Sequence, residues 1–516
     1  MTIDRRVLGA VRIAYGLVLL YDVIRRFRVR EVYYSNAGIL SNHYLLFQPE
    51  DHPQFSLLTA FSTPAEVTVA FVGIGFVYVC YALGLFTRVM RILVLVCLTS
   101  LNARNLFAED GGVSTLIALG LWTAFLPMSD RFALDAVVRQ ARLPSLVARV
   151  RARKRLKKPV VSLAVLALVL QIMAIYWLNA VQKTGATWRH GEAVHYVLWQ
   201  ERVNTAFAWW LAHHEPSWFS PLASRGTIIV ETLIPLLIVY PYGRWARTLG
   251  FGLSAALHLG IAAVMSLGPF SYAMVALVLS RLPEETLVGA AARLPLAFRR
   301  RVQRWRAQAI AAVAPRVARG PAPKPARRPL PWKSLREASV GVLLLALATE
   351  LTQANPGIHL KLPQPAWLHE LLFYPRFTQR WLMFAPDAPT DDGTTVIDAV
   401  TADGRHLDPF TGVAPDFDAL DRGPLPHPIE ISDYLFQIHF DFSEPYRREL
   451  SRYVEHWHER NGTEPTDRFV SYDAWWVSHD TPPPGSVTPG PTQRERFMSA
   501  RFRPPPRPAD AHRAGP

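Results

Sequence analysis

The chain has 516 residues, 50% of them hydrophobic and 19% charged, with 56 Lys and Arg against 41 Asp and Glu for a formal net charge of +15. Soluble domains carry roughly 25% charged residues, so charge is depleted here. Two cysteines exclude a disulfide scaffold, a cysteine-built zinc module and an iron–sulfur cluster, and 42 prolines exclude one uninterrupted helical repeat. The basic surplus raises nucleic acid as a partner only if it lies on a solvated face, so its placement along the chain decides the matter.

In chain order, long apolar runs occupy Val7–Ile24, Ala65–Phe86, Met90–Leu101, Val113–Pro127, Val160–Val181, Thr227–Tyr240, Thr248–Leu267, Ser271–Leu282 and Ser339–Leu351. Each is at or near the length of about 20 residues that a bilayer-spanning helix needs. The expected fold is an all-α polytopic membrane bundle of about nine transmembrane helices, followed by a small C-terminal α+β extramembrane domain. Val7–Ile24 is too long for a signal-peptide core and no small-residue cleavage site follows it, so it reads as a retained span.

Two acid-free stretches set the orientation. Nine Lys or Arg lie between Arg139 and Lys158, and twelve between Arg293 and Lys333. Positive loops face the cytoplasm. Four spans before the first stretch and four between the two then place the N-terminus inside and the chain after the ninth span outside. Arg25, Arg26, Arg28 and Arg30 follow the first span on the predicted outer side and run against this scheme. From Asn355 onward 23 acids face 16 bases, a net of −7 that leaves +22 for the membrane part. The charge thus serves as an orientation signal, and a lipid bilayer rather than nucleic acid is the expected partner.

The domain reading is 1–285 for the first membrane unit, 286–334 for a basic cytoplasmic loop, 335–353 for the last span, 354–480 for an extracytoplasmic α+β domain and 481–516 for a Pro-rich disordered tail. Thr394–Thr401 and His406–Thr411 flank Asp403-Gly404, a hairpin signal. Tyr434, Phe436, Ile438, Phe440 and Phe442 alternate as in a half-buried strand, and Ser443 is placed to cap a helix carrying Tyr446, Leu450, Tyr453 and Trp457.

Charged groups within spans are costly and mark an interior or a cavity. Arg12 and Asp22 lie in the first span, Lys183 ends the fifth, Glu231 is in the sixth and His258 is midway along the seventh. Arg12 and Asp22 read as paired or end-snorkelling support, and Glu231 as a partner of Arg12 or Lys183. Lys183 is either an interfacial anchor with Trp188 or, in low-dielectric surroundings, a neutral general base. His258 is either a hydrogen-bonded core residue or a catalyst. His456 and His458 stand two apart on an expected helix and share no face, so no metal is assigned. Nucleotide, nucleophile-elbow and zinc-protease motifs are absent.

Four stretches carry a resemblance. They are Arg12-Ile-Ala-Tyr15-Gly16-Leu with Asp22, Leu83-Gly84-Leu85 with Arg88, Lys183 followed by Trp188 and Gly191, and His258 followed by Ser266, Gly268, Phe270-Ser271-Tyr272 and Met274. Over roughly residues 5–285 the chain resembles the horizontally transferred transmembrane (HTTM) domain family, the group containing vitamin K-dependent gamma-carboxylase. Trp381-Leu-Met383-Phe384-Ala-Pro386 looks like the opening of an extension on many bacterial members, which suits the Arg-, Ala- and Pro-rich usage here. The resemblance implies a lipid quinol as ligand, a reduced naphthoquinone such as menaquinol or vitamin K hydroquinone, oxygenated by dioxygen without a metal. Lys183 would be the base and His258 would position the ring, with Trp188, Phe270 and Tyr272 lining the quinol site. The carboxylase histidine before the Asp closing the fourth span has no counterpart in Met128–Asp135, and the carboxylase disulfide cannot form, so full glutamate carboxylation is not expected. The competing reading is a non-catalytic membrane scaffold whose exported domain binds an envelope protein or peptide. Inner-membrane localisation follows from either.

Overall fold

The computed structural model describes residues 1–47, 56–108, 110–142, 150, 154, 156–241, 243–318, 331–462 and 464–503. The nine apolar runs fall in helices α1 (Arg5–Phe27), α2 (Pro64–Leu83), α3 (Thr87–Arg104), α4 (Gly111–Ala124), α5 (Leu163–Gln182), α6 (Phe219–Val239), α7 (Arg244–Val264), α8 (Phe270–Leu279) and α9 (Pro331–Ala354). Helix starts follow local chemistry. Asp4 and Ser162 cap α1 and α5, and Thr63 forms a capping box with Glu66 ahead of Pro64. By length and composition, α1, α2, α5, α6 and α7 can cross a membrane, whereas α4 and α8 are shorter apolar helices. The expectation of nine spans is thus matched for five helices. Leu222, Ile229, Leu233 and Leu236 on α6 and Leu249 and Leu259 on α7 are exposed, a large apolar surface suited to lipid rather than water.

One end of the bundle gathers basic residues. Arg5 pairs with Asp130 and donates to the Lys158 carbonyl at 3.1 Å, Ile3 bridges Val160, and Glu337 at the start of α9 accepts from Leu163 N at 2.7 Å. Among the described residues Arg12 makes no ion pair, although Asp135 acts on it from farther off. Its guanidinium donates to the carbonyls of Met128 (3.0 Å), Ala82 (3.3 Å) and Phe132. Gly84 ends α2 with φ 70, and a Cβ there would stand 2.6 Å from Arg12 Nη1, so glycine serves both the turn and the close approach. The expected 286–334 loop contains two helices, Glu284–Ala292 and Leu296–Ala318, the second packed on Leu134–Ala141. Residues 143–149, 151–153, 155 and 319–330 of the basic stretches lie outside the described residues.

The opposite end carries the second arginine cluster. Asp22 accepts from Arg25 and Arg26 at 2.9 Å each, and Arg26 also donates to the Tyr34 hydroxyl at 2.9 Å. Arg25 is 3.1 Å from Glu430 and 3.6 Å from Asp110. These two arginines are neutralised by buried carboxylates, which explains their place outside the basic end.

Glu430 belongs to the C-terminal domain, which packs on this end. Its antiparallel sheet has the order β2-β1-β3-β4, with β1 (Asp391–Thr401), β2 (His406–Leu407), β3 (Phe469–Asp480) and β4 (Gln493–Arg501). The Asp403-Gly404 hairpin forms as expected, with Ala399 opposite Leu407. Three expectations are corrected. The alternating stretch from Tyr434 is not a strand: Ile429–Gln437 is a helix, because Ile431, Tyr434, Leu435 and Ile438 form one buried face at helical spacing. Ser443 lies buried inside a 3₁₀ turn, and Tyr446 is the N-cap of helix Arg447–Glu455. The stretch from Thr481 is not structureless, since β4 pairs with β3 from Gln493 to Arg501; residues 504–516 lie outside the described residues. Val396 and Val477 on one face, and Ile397, Ala399 and Ala474 on the other, bury both sides of β1 and β3, which outweighs the Pro-rich composition nearby.

Docking is polar. Arg452 donates to the Asn36 and Gly38 carbonyls (2.9 and 2.7 Å), and Arg202 bonds Asp433 at 2.6 Å. Beside Arg202, the buried Glu201 lies 3.6 Å from His479 of β3, and Asp392 of β1 accepts from Arg202 N at 3.1 Å. Burial lifts the Glu201 carboxyl to about 8, while His479 is raised because its neighbours Glu201, Asp421 and Asp392 outweigh its burial. Glu201 keeps a proton in the folded chain that it releases on unfolding, so it favours the folded state at low pH. Stability is expected to fall as pH rises from about 4.5 through about 8. Unfolding of the detergent-purified protein across that range checks the slope, and Glu201→Gln should flatten it; an unchanged slope in the variant would refute the assignment.

Candidate functional site

Helix α5 ends at Gln182 with Lys183 as its C-cap, and a short helix, Ala186–His190, follows and stops at Gly191, which has φ 84. The glycine lets the chain turn sharply after Trp188. The Lys-x4-Trp-x2-Gly spacing is therefore a helix end, one helical turn and its left-handed stop. It brings the Lys183 ammonium 4.9 Å from the centre of the Trp188 ring. Lys183 Nζ donates to Glu231 Oε2 of α6 at 2.5 Å, and both residues are 8% exposed. Of the two partners considered for Glu231, Lys183 is the one it takes.

A second group lies alongside, on helices packed against α6. His258 Nε2 of α7 is 2.8 Å from the Tyr176 hydroxyl of α5, which is also 2.8 Å from Ser254 Oγ. The Phe270 ring stands edge-on to His258 at 5.4 Å. His258 is 3% exposed, yet among the described residues its Nδ1 has no hydrogen-bond partner, nor has the buried Ser271 hydroxyl. Lys183 acts electrostatically on His258, and Glu231 on Tyr176, which makes the two groups neighbours.

The segment after α9 covers the Lys183 turn. Gln182 Nε2 donates to the Trp381 carbonyl (2.8 Å), the Trp188 indole to the Phe384 carbonyl (2.6 Å) and Gly185 N to the Pro386 carbonyl (2.9 Å). Thr187 N and Oγ1 both donate to Asp387 Oδ1, at 2.8 and 3.0 Å.

Lys183, Trp188, Glu231, His258 and Phe270 are thus brought together. Tyr272 instead packs on Tyr21 at 5.2 Å and is 39% exposed. Arg12 belongs to the basic end, and Asp22 to the arginine cluster. Sequence reasoning missed Tyr176, Ser254 and Asp387. Tyr176 lies seven residues before Lys183 and Ser254 four before His258, so helical spacing alone puts each on the face of the residue it serves. Asp387 left no such local signal.

Residues 1–283 match a family model described as HTTM domain. The chain belongs to the HTTM domain family. Comparison with curated proteins and with solved structures gave no match. The HTTM region holds Arg12, Asp22, Lys183, Trp188, Glu231, His258, Phe270 and Tyr272, whereas Trp381–Asp387 lies beyond it. Together with the apolar helices, membership makes this a membrane protein of the gamma-carboxylase-like family.

A buried ammonium stripped of its counter-ion is expensive. Glu231→Ala should therefore lower unfolding stability in detergent by about 3–5 kcal/mol, and the double change Lys183→Met with Glu231→Leu should recover most of that loss. Equal stability of wild type and Glu231→Ala in a denaturant titration would show that no charged pair is buried there.

Proposed function

We propose that the chain is a membrane enzyme that binds a lipid quinol, a reduced naphthoquinone, and promotes its oxygenation by dioxygen to an epoxide and water. The observation that carries this reading is the buried Lys183–Glu231 pair beside a His258 whose Nδ1 is left open. Within an apolar bundle, the pair can hold its shared proton on either partner. With the proton on Glu231, the Lys183 amine is free to take a quinol O–H proton as general base. His258, oriented through Nε2 by Tyr176, offers Nδ1 to the second ring oxygen. Phe270 and Trp188 supply flat apolar walls for a naphthoquinone ring.

In this reading the nine apolar segments all belong to the membrane part, with the basic end in the cytoplasm and the C-terminal sheet on the outer side. The twenty-one basic residues of the two acid-free stretches support that orientation.

The decisive experiment supplies a reduced naphthoquinone to the detergent-purified protein and follows oxygen uptake and epoxide formation. Lys183→Ala should lower the rate by about 100-fold or more, the usual contribution of a general base. Wild-type silence across several quinols would defeat the enzyme reading in favour of a non-catalytic membrane protein. A rate untouched in Lys183→Ala would remove the base from its role.

A further inference from the structure

The basic end of the bundle holds a cavity of about 210 Å³. It lies between the residues ahead of α1, the turn at 157–159, the start of α7 and the turn that follows α8. Its cationic wall is Arg281, Arg247 and Lys157, with Ser280 beside them. Arg281 is 7% exposed and Ser280 2%. Both are more than nine-tenths buried, and neither has its hydrogen-bonding capacity filled. Arg281 Nε, Arg247 Nε and Ser280 Oγ lack partners. Among the described residues the Arg281 side chain makes one hydrogen bond, a long one from Nη1 to the Thr2 carbonyl at 3.5 Å. The charge acting on Arg281 is the like charge of Arg247. Buried guanidinium and hydroxyl donors left without acceptors are costly, and such a site is completed by an anion.

The acidic residues on the rim are engaged elsewhere. Asp4 accepts from Arg6 N at 2.7 Å as the cap of α1, and Glu284 lies 3.8 Å from Arg6 Nη1. Glu285 is exposed at the mouth. Asp4 and Glu284 are thus engaged with Arg6 of α1, and the donors left unfilled are those of Arg281, Arg247 and Ser280.

We infer that this cavity is a binding site for a phosphate group, presented either by the headgroup of an anionic phospholipid or by free inorganic phosphate. Planar guanidinium forks match phosphate oxygens two at a time, and a hydroxyl such as Ser280 Oγ completes the set. Basic pockets between membrane helices hold phospholipid headgroups in this way. The site lies at the end of the bundle away from Lys183 and does not depend on the quinol reading.

The test compares wild type with Arg281→Gln and Arg247→Gln, and with Arg139→Gln as a basic control that does not line the cavity. In one arm, native mass spectrometry of detergent-purified protein reads retention of phosphatidic acid and phosphatidylglycerol against phosphatidylcholine. In the other, thermal unfolding is followed against inorganic phosphate, with chloride at matched ionic strength. Lipid retention that falls about 10-fold in both cavity variants and is kept in Arg139→Gln assigns a headgroup. A phosphate-dependent rise in Tm lost in the cavity variants, without lipid selectivity, assigns the free anion. If Arg281→Gln does not fold, Arg247→Gln carries the comparison, since its side chain is half-exposed. No binding in either arm, or equal losses in Arg139→Gln, overturns the proposal.

Discussion

A charge inside an apolar bundle must be met by another charge or by several carbonyls, and this requirement organises the whole chain. Asp22 is its centre. The carboxylate sits on α1 and holds Arg25 and Arg26 of the same helix, which would otherwise be two cations buried among apolar side chains. Arg26 then reaches the loop after α3 through the Ala108 carbonyl, and Arg25 reaches Glu430 of the C-terminal domain. One compensated cluster thereby joins the first helix, the α3–α4 connection and the sheet domain. At the other end Arg12 solves the same problem with backbone carbonyls, and the closeness of α1 and α2 follows from that choice.

Lys183 and Glu231 are a third solution, and the one with chemical potential. An arginine–carboxylate cluster keeps its charges fixed, because guanidinium does not give up its proton in proteins. Lys183, 2.5 Å from Glu231, is an amine, a type of side chain that can serve as a general base. Trp188 beneath the ammonium and the Tyr176–His258–Ser254 group beside it bound that pair. The proposed mechanism uses this difference between lysine and arginine directly.

The bundle was legible from composition because apolar runs that long have few other uses. Lys183, Trp188 and His258 were legible because their spacing is local: a helix end, one turn and a midpoint. What the sequence could not convey was pairing across the fold. Arg12 and Asp22 read as paired within the bundle or snorkelling near an end, yet one takes carbonyls and the other arginines of its own helix. Arg25 looks like a misplaced orientation signal in sequence because its compensation by Asp110 and Glu430 spans 85 residues in one case and 405 in the other. In the C-terminal domain, Tyr434–Ile438 satisfied both a period of two and a period of 3.6 over a short window. Burial of Ile431 and Leu435 decided for the helix. The strand Gln493–Arg501 was hidden by the prolines around it, since its pairing depends on β3 rather than on its own pattern.

The hydrogen bonds of the Lys183 turn bear on what counts as a unit in this family member. Trp188, Gly185 and Thr187 direct their donors to Phe384, Pro386 and Asp387, about a hundred residues past the end of the HTTM match at 283. A segment cut at that boundary would leave an indole N–H and two main-chain amides without acceptors around its central lysine. The stretch recognisable by sequence is therefore shorter than the stretch that folds as a complete object. Any transplant, chimera or minimal version of the domain has to carry the chain through Ala388 to bring the lysine's surroundings with it.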